Sequence, residues 1–123
     1  MSPQLLARLL GLARIGIGVG VWAAPEAAAR ALGFDSRNPP AMVLARATGT
    51  RDIALGAVAA ATATDPERAP SVALLCAGVD AGDAVAFGGA VVRREGIDPA
   101  ALVGTVSALA ATAFGVWLAS RLR

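Results

Sequence analysis

Four runs of about twenty residues, 4–24, 40–61, 71–92 and 99–120, are apolar on nearly every side, and this restricts the fold more than any other feature. A helix in water keeps a polar face, whereas one that is apolar all round lies buried in protein or in lipid. At 1.5 Å per residue, a run the length of 4–24 extends about 30 Å, the thickness of a bilayer's hydrocarbon core. A mean hydropathy of +0.63 and a 56% share of hydrophobic residues point the same way. No period-2 alternation of any length appears, so strands are not expected. The sequence predicts an all-α chain: a four-helix transmembrane bundle with short loops, one domain over 1–123, in the cell's inner (plasma) membrane and passing through it several times.

The connections carry helix punctuation. Pro25, Glu26, Arg30 and Gly33 are placed as the start, first-turn acid, last-turn base and stop of a short interfacial helix after the first run. Asn38-Pro39, Asp65-Pro66 and Asp98-Pro99 each offer a capping side chain followed by proline at the first helical position. The sequence Arg93-Arg94-Glu95-Gly96 ends the third run with cations and a glycine. Trp22 and Trp117 fall near the ends of their runs, where an indole sits at headgroup depth. Arg14 interrupts the first run, which reads as a retained helix rather than a cleaved leader.

Composition removes several functional classes. The net charge is +2 with arginines scattered along the chain, so neither a nucleic-acid footprint nor a polybasic tail is visible. Cys76 stands alone and there is no histidine, which leaves no internal disulfide and none of the usual zinc, haem or copper ligand sets. No metal and no cofactor are expected. The run Gly16-x-Gly18-x-Gly20 lacks the strand-to-helix setting of a dinucleotide fingerprint and reads as helix packing.

The charges inside the runs are the candidate site. Arg14 lies at the middle of the first run, Arg51 and Asp52 at the middle of the second, and Asp80 and Asp83 at the middle of the third, with Arg46 about one and a half turns away. A charge at the centre of a membrane helix costs roughly 2.5–3.5 kcal/mol on insertion scales, so such residues face protein and mark function. Three arginines balance three aspartates, which predicts a buried charge network closed on itself. At 100° per residue Arg46, Gly49, Asp52, Ile53 and Gly56 share one arc, which predicts that Asp52 pairs with Arg46. Arg51 points elsewhere. Asp80 and Asp83 share a face with Cys76 and Phe87, while Gly78 and Gly82 form a small-residue pair on the opposite side, suited to contact with a second copy of the chain. Arg14 shares its face with Ala7, Gly11 and Gly18. The fourth run and Cys76 read as scaffold and packing.

Two readings follow. In one, Asp52, Asp80, Asp83 and Arg51 are catalytic and Arg14 and Arg46 bind, in a cavity for a lipophilic small molecule. Two carboxyls a turn apart in low dielectric resist ionising together and, unless two arginines neutralise them, one holds a proton that the pair can pass, the chemistry of an isomerase, a cyclase or an epoxide-opening enzyme. In the other, the chain is a non-enzymatic membrane subunit whose charges form a proton path or lock it to a partner.

Gly49, Arg51, Asp52 and Gly56, read as a Gly-x-Arg-Asp motif in the second helix with a carboxylate pair in the third, resemble a family of small four-helix integral membrane proteins. In size and topology the chain is also similar to the DoxX-like proteins. The resemblance implies the fold and an inner-membrane location, and no reaction.

Overall fold

A computed structural model describes the protein from Met1 to Arg123, apart from the side chain of Asp98. It is all-helical, with five helices: α1 (Pro3–Ala23), α2 (Pro25–Leu32), α3 (Pro39–Thr62), α4 (Ala69–Arg93) and α5 (Asp98–Leu122). The four-helix transmembrane count is corrected: the chain has five helices, the short α2 being the one expected between Pro25 and Gly33, and among the described residues only α1, α4 and α5 are long and apolar enough to cross a membrane. α3 matches them in length, but Arg46, Arg51 and Asp52 crowd its central turns, so it contains no uninterrupted apolar stretch of sufficient length.

Local signals set the helix ends. Ser2 and Asn38 cap α1 and α3 by accepting from Leu5 N–H and Ala41 N–H, each at 3.2 Å. Asp65 accepts from the N–H groups of Glu67 and Arg68, forming a turn one step ahead of α4, which begins only at Ala69. The side chain of Asp98, expected to cap the last helix, lies outside the described residues; its backbone is already helical. α2 ends at Gly33 in the left-handed region (φ 84), where the N–H of Phe34 reaches back to Ala29 C=O at 2.9 Å. α4 stops ahead of the expected glycine: its left-handed C-cap is Arg94 (φ 52), and Gly96, two positions on, also has a positive φ (79).

Two helix pairs make the body of the molecule, α1 with α3 and α4 with α5. Glycine sets the first pair. Gly11 and Gly18 are seven residues apart, as are Gly49 and Gly56, so after two turns each pair returns to nearly the same side of its helix. The helices run antiparallel with Gly11 against Gly56 and Gly18 against Gly49. A methyl group at Gly18 would lie 2.5 Å from the Gly49 carbonyl oxygen, and one at Gly56 2.5 Å from that of Gly11. Only hydrogen fits there, and backbone meets backbone. In the second pair, Phe87 covers Gly104 and Ala77 covers Gly115.

The side-chain distribution is inverted relative to a water-soluble protein. The buried apolar residues are chiefly alanines, such as Ala63, Ala77 and Ala101, joined near one end by Leu118 and Leu122. Large side chains including Ile17, Val43, Leu44, Leu75, Val85 and Leu102 face outward. In water such continuous apolar surface would drive association, whereas a bilayer solvates it and leaves small residues to mediate helix contact.

The glycine contact gives a direct prediction. Gly18→Ala should force α1 and α3 apart and lower stability in detergent by about 1–3 kcal/mol, the usual cost of overpacking. Gly16→Ala, whose added methyl meets open space, should leave the melting temperature unchanged or slightly raised. Equal tolerance of both substitutions would contradict the backbone-to-backbone packing.

Candidate functional site

The register that joins α1 to α3 also builds the site. Arg14 lies between Gly11 and Gly18 as Asp52 lies between Gly49 and Gly56, so the antiparallel pairing brings them abreast. Arg14 Nε donates to Asp52 Oδ1 at 3.3 Å, and Arg14 Nη2 donates to Asp80 Oδ1 of α4. Arg51 holds Asp83 with both terminal nitrogens, Nη1 to Oδ1 at 2.9 Å and Nη2 to Oδ2 at 2.8 Å. The same Nη2 lies 3.4 Å from Asp52 Oδ1. Five charged side chains from three helices thus form one connected set, in which Arg14–Asp80 and Arg51–Asp83 cross from one helix pair to the other.

Three expectations are corrected here. Arg46 stands outside the set: it is exposed, and its Nε points to the carbonyl oxygen of Trp22 at 3.4 Å. Helical side chains lean toward the N-terminus of their own helix, which carries Arg46 away from Asp52 and toward the end of the bundle. The expected Asp52–Arg46 pair is replaced by Asp52 with Arg14 and Arg51. Secondly, Asp80 and Asp83 are not left as a pair without counter-charges, since each takes a different arginine. Thirdly, the charge network is part-buried rather than enclosed. Side-chain exposure is 19%, 15% and 12% for Arg14, Asp52 and Asp80, against 34% and 31% for Arg51 and Asp83, so the first three form the sheltered end.

Without Arg46 the count is two guanidinium groups to three carboxyls, and the cluster has a carboxyl to spare. Arg51 Nε is buried and has no hydrogen-bond partner among the described residues, leaving a donor free as well.

Between the two helix pairs lies a cleft of about 270 Å³. Its walls are apolar, with alanines such as Ala59, Ala73 and Ala111 from three helices and Phe114 from α5. Its charged lining is Arg14, Asp52 and Asp80, with Cys76 also exposed to the cleft. The volume is near the lower end of the roughly 300–1,000 Å³ common for ligand pockets, and one polar corner in an apolar chamber is the usual pattern of a small-molecule site. Asp83 and Arg51 do not line it. Two contributors were not evident from the sequence. α5 supplies a wall although it has no charged residue in its interior, and Cys76 faces the cleft rather than packing. The pairing of α5 with α4 through Gly104 and Gly115 was the available signal, since it fixes which side of α5 turns inward.

No protein-family profile, curated protein or solved structure matches the chain.

The two cross-pair contacts differ in shelter and should differ in strength. In a double-mutant cycle with leucine in detergent, Arg14 and Asp80 should couple by about 3 kcal/mol, since stranding one partner of a sheltered pair typically costs about 3–5 kcal/mol. Arg51 and Asp83, each about a third exposed, should couple by less than about 1 kcal/mol. Additive losses for Arg14 and Asp80 would contradict the bridge.

Proposed function

We propose that the chain is a multi-pass protein of the cell's inner (plasma) membrane whose cleft binds a small lipophilic molecule, with Arg14, Asp52 and Asp80 holding the molecule's polar end. The observation that carries this reading is the coincidence of an alanine-walled chamber with the sheltered end of the charge cluster. Lipid around the helices completes the shielding that the chain alone provides only in part, and the cluster then works as a buried charge network. In that setting its spare carboxyl can take a proton from a bound substrate and return it, while Arg14 stabilises a developing anion. Asp80 and Asp52 are the acid/base candidates, and an isomerisation, cyclisation or epoxide opening is the matching reaction class. The Gly-x-Arg-Asp motif divides its labour, with Gly49 and Gly56 closing on α1 and Arg51 and Asp52 joining the ion pairs.

One observation favours the second reading, a non-enzymatic subunit. Arg51 and Asp83 lie outside the cleft lining and are a third exposed, a polar pair that lipid solvates poorly and a partner chain would shelter. Gly78 and Gly82, whose missing methyl groups would meet open space, leave α4 free to approach a second copy.

The test is mass spectrometry of organic extracts from the purified protein. A lipophilic species should co-purify with the wild type and fall about tenfold or more with Asp80→Asn, the order expected for losing a hydrogen bond to a charged group. Ala73→Leu, which fills the cleft, should displace it too, with little change in melting temperature. Extracts identical in all three proteins would contradict the cleft as a binding site, and a co-purifying protein chain in place of a small molecule would move the assignment to the subunit.

A further inference from the structure

A second cleft, of about 530 Å³, lies at the end of the bundle where α1 stops and α3 starts, well away from the one described above. Three arginines from successive segments line it: Arg30 from α2, Arg37 from the connection before α3, and Arg46 from α3. Among the described residues Glu26 is the single carboxylate in the lining, and Met42 and Val43 add apolar surface.

The arginines are short of acceptors. Arg30 approaches Glu26 only to 3.8 Å, with both side chains more than 60% exposed. The Arg37 guanidinium has no hydrogen-bond or ion-pair partner among the described residues, and the neighbouring Asp35 accepts from the Arg37 backbone N–H instead. Arg46 uses Nε on the Trp22 carbonyl, and its terminal nitrogens have no hydrogen-bond partner among the described residues. The cleft therefore presents many N–H donors and a surplus of two positive charges, to which a group with several anionic oxygens and no donors is complementary.

Its position gives the source of that group. Trp22, in the last turn of α1, is half-exposed, as an indole at headgroup depth would be. Arg46 sits about 10 Å along the axis from the start of α3 and reaches back toward that end, with its aliphatic stem along the helix and its charge at the surface. We propose that Arg30, Arg37 and Arg46 form a phosphate site for an anionic lipid headgroup, with the glycerol end of the lipid resting on Met42 and Val43. The inference is independent of the Arg14–Asp80 cleft and stands or falls separately from it.

The experiment is native mass spectrometry of delipidated protein in detergent, titrated with phosphatidylglycerol or with phosphatidylcholine. Phosphatidylglycerol should be retained preferentially. Arg37→Gln should weaken it about fivefold and Arg30→Gln with Arg37→Gln about 25-fold, since an arginine near an anionic headgroup contributes about 1 kcal/mol. Arg37→Lys should keep most of the binding, and Arg8→Gln, at the opposite end of the bundle, should change it by less than about twofold if the effect is local. Equal retention of the two lipids, or an equal loss with Arg8→Gln, would overturn the site. Displacement of phosphatidylglycerol by an equal concentration of glycerol 3-phosphate would assign the arginines to a soluble phosphate and overturn the lipid as occupant.

Discussion

Arg14–Asp80 and Arg51–Asp83 join the two helix pairs at mid-depth, between an apolar contact of Leu6 and Ala7 with Leu118 and Leu122 at one end and Phe34 against Phe87 at the other. α1 and α3 meet through Gly11, Gly18, Gly49 and Gly56, and that contact uses up the side of each helix that can approach closely. α4 and α5 meet through Phe87 on Gly104 and Ala77 on Gly115. Along the cleft much of what faces across the seam is alanine, too short to interlock there. Arg14 and Arg51 span that distance because an arginine side chain is long, and the aspartates of α4 receive them. In a bilayer, where no hydrophobic driving force pushes helices together, such polar contacts and close packing are the available adhesives.

The cleft has the same origin. With three Phe, two Trp and no Tyr in 123 residues, the chain has few side chains able to fill an interior, and most large aliphatic ones point outward, Leu118 and Leu122 apart. No large side chain is fully buried among the described residues. A seam bridged by arginines and lined by alanines must leave space, and the space ends at the charges. Chamber and polar corner are thus two consequences of one composition.

How much of this was legible can be judged from particular residues. Helix positions were, because proline, asparagine and glycine act locally and the apolar runs end where they do. The depth of Arg14, Arg51, Asp52, Asp80 and Asp83 was legible by counting from the helix ends. Partner choice was not. Helical phase placed Arg46 and Asp52 on one arc but carried no information on the lean of a side chain along the axis, which sends Arg46 to Trp22. Nor could phase show that Asp80 and Asp83, on one face of α4, would meet arginines from two different helices. The number of spans failed for a related reason: length made α3 look like its neighbours, whereas its charges separate it from them.

The account rests on the charge cluster persisting in lipid, and the most direct measurement is solid-state NMR of the protein in bilayers, correlating arginine guanidinium nitrogens with aspartate carboxyl carbons. Cross-peaks from Arg14 to both Asp52 and Asp80 and from Arg51 to Asp83 are predicted, with Arg46 giving none. A correlation of Arg46 with Asp52, or the absence of any contact between Arg14 and Asp80, would contradict the seam on which the fold and the cleft depend.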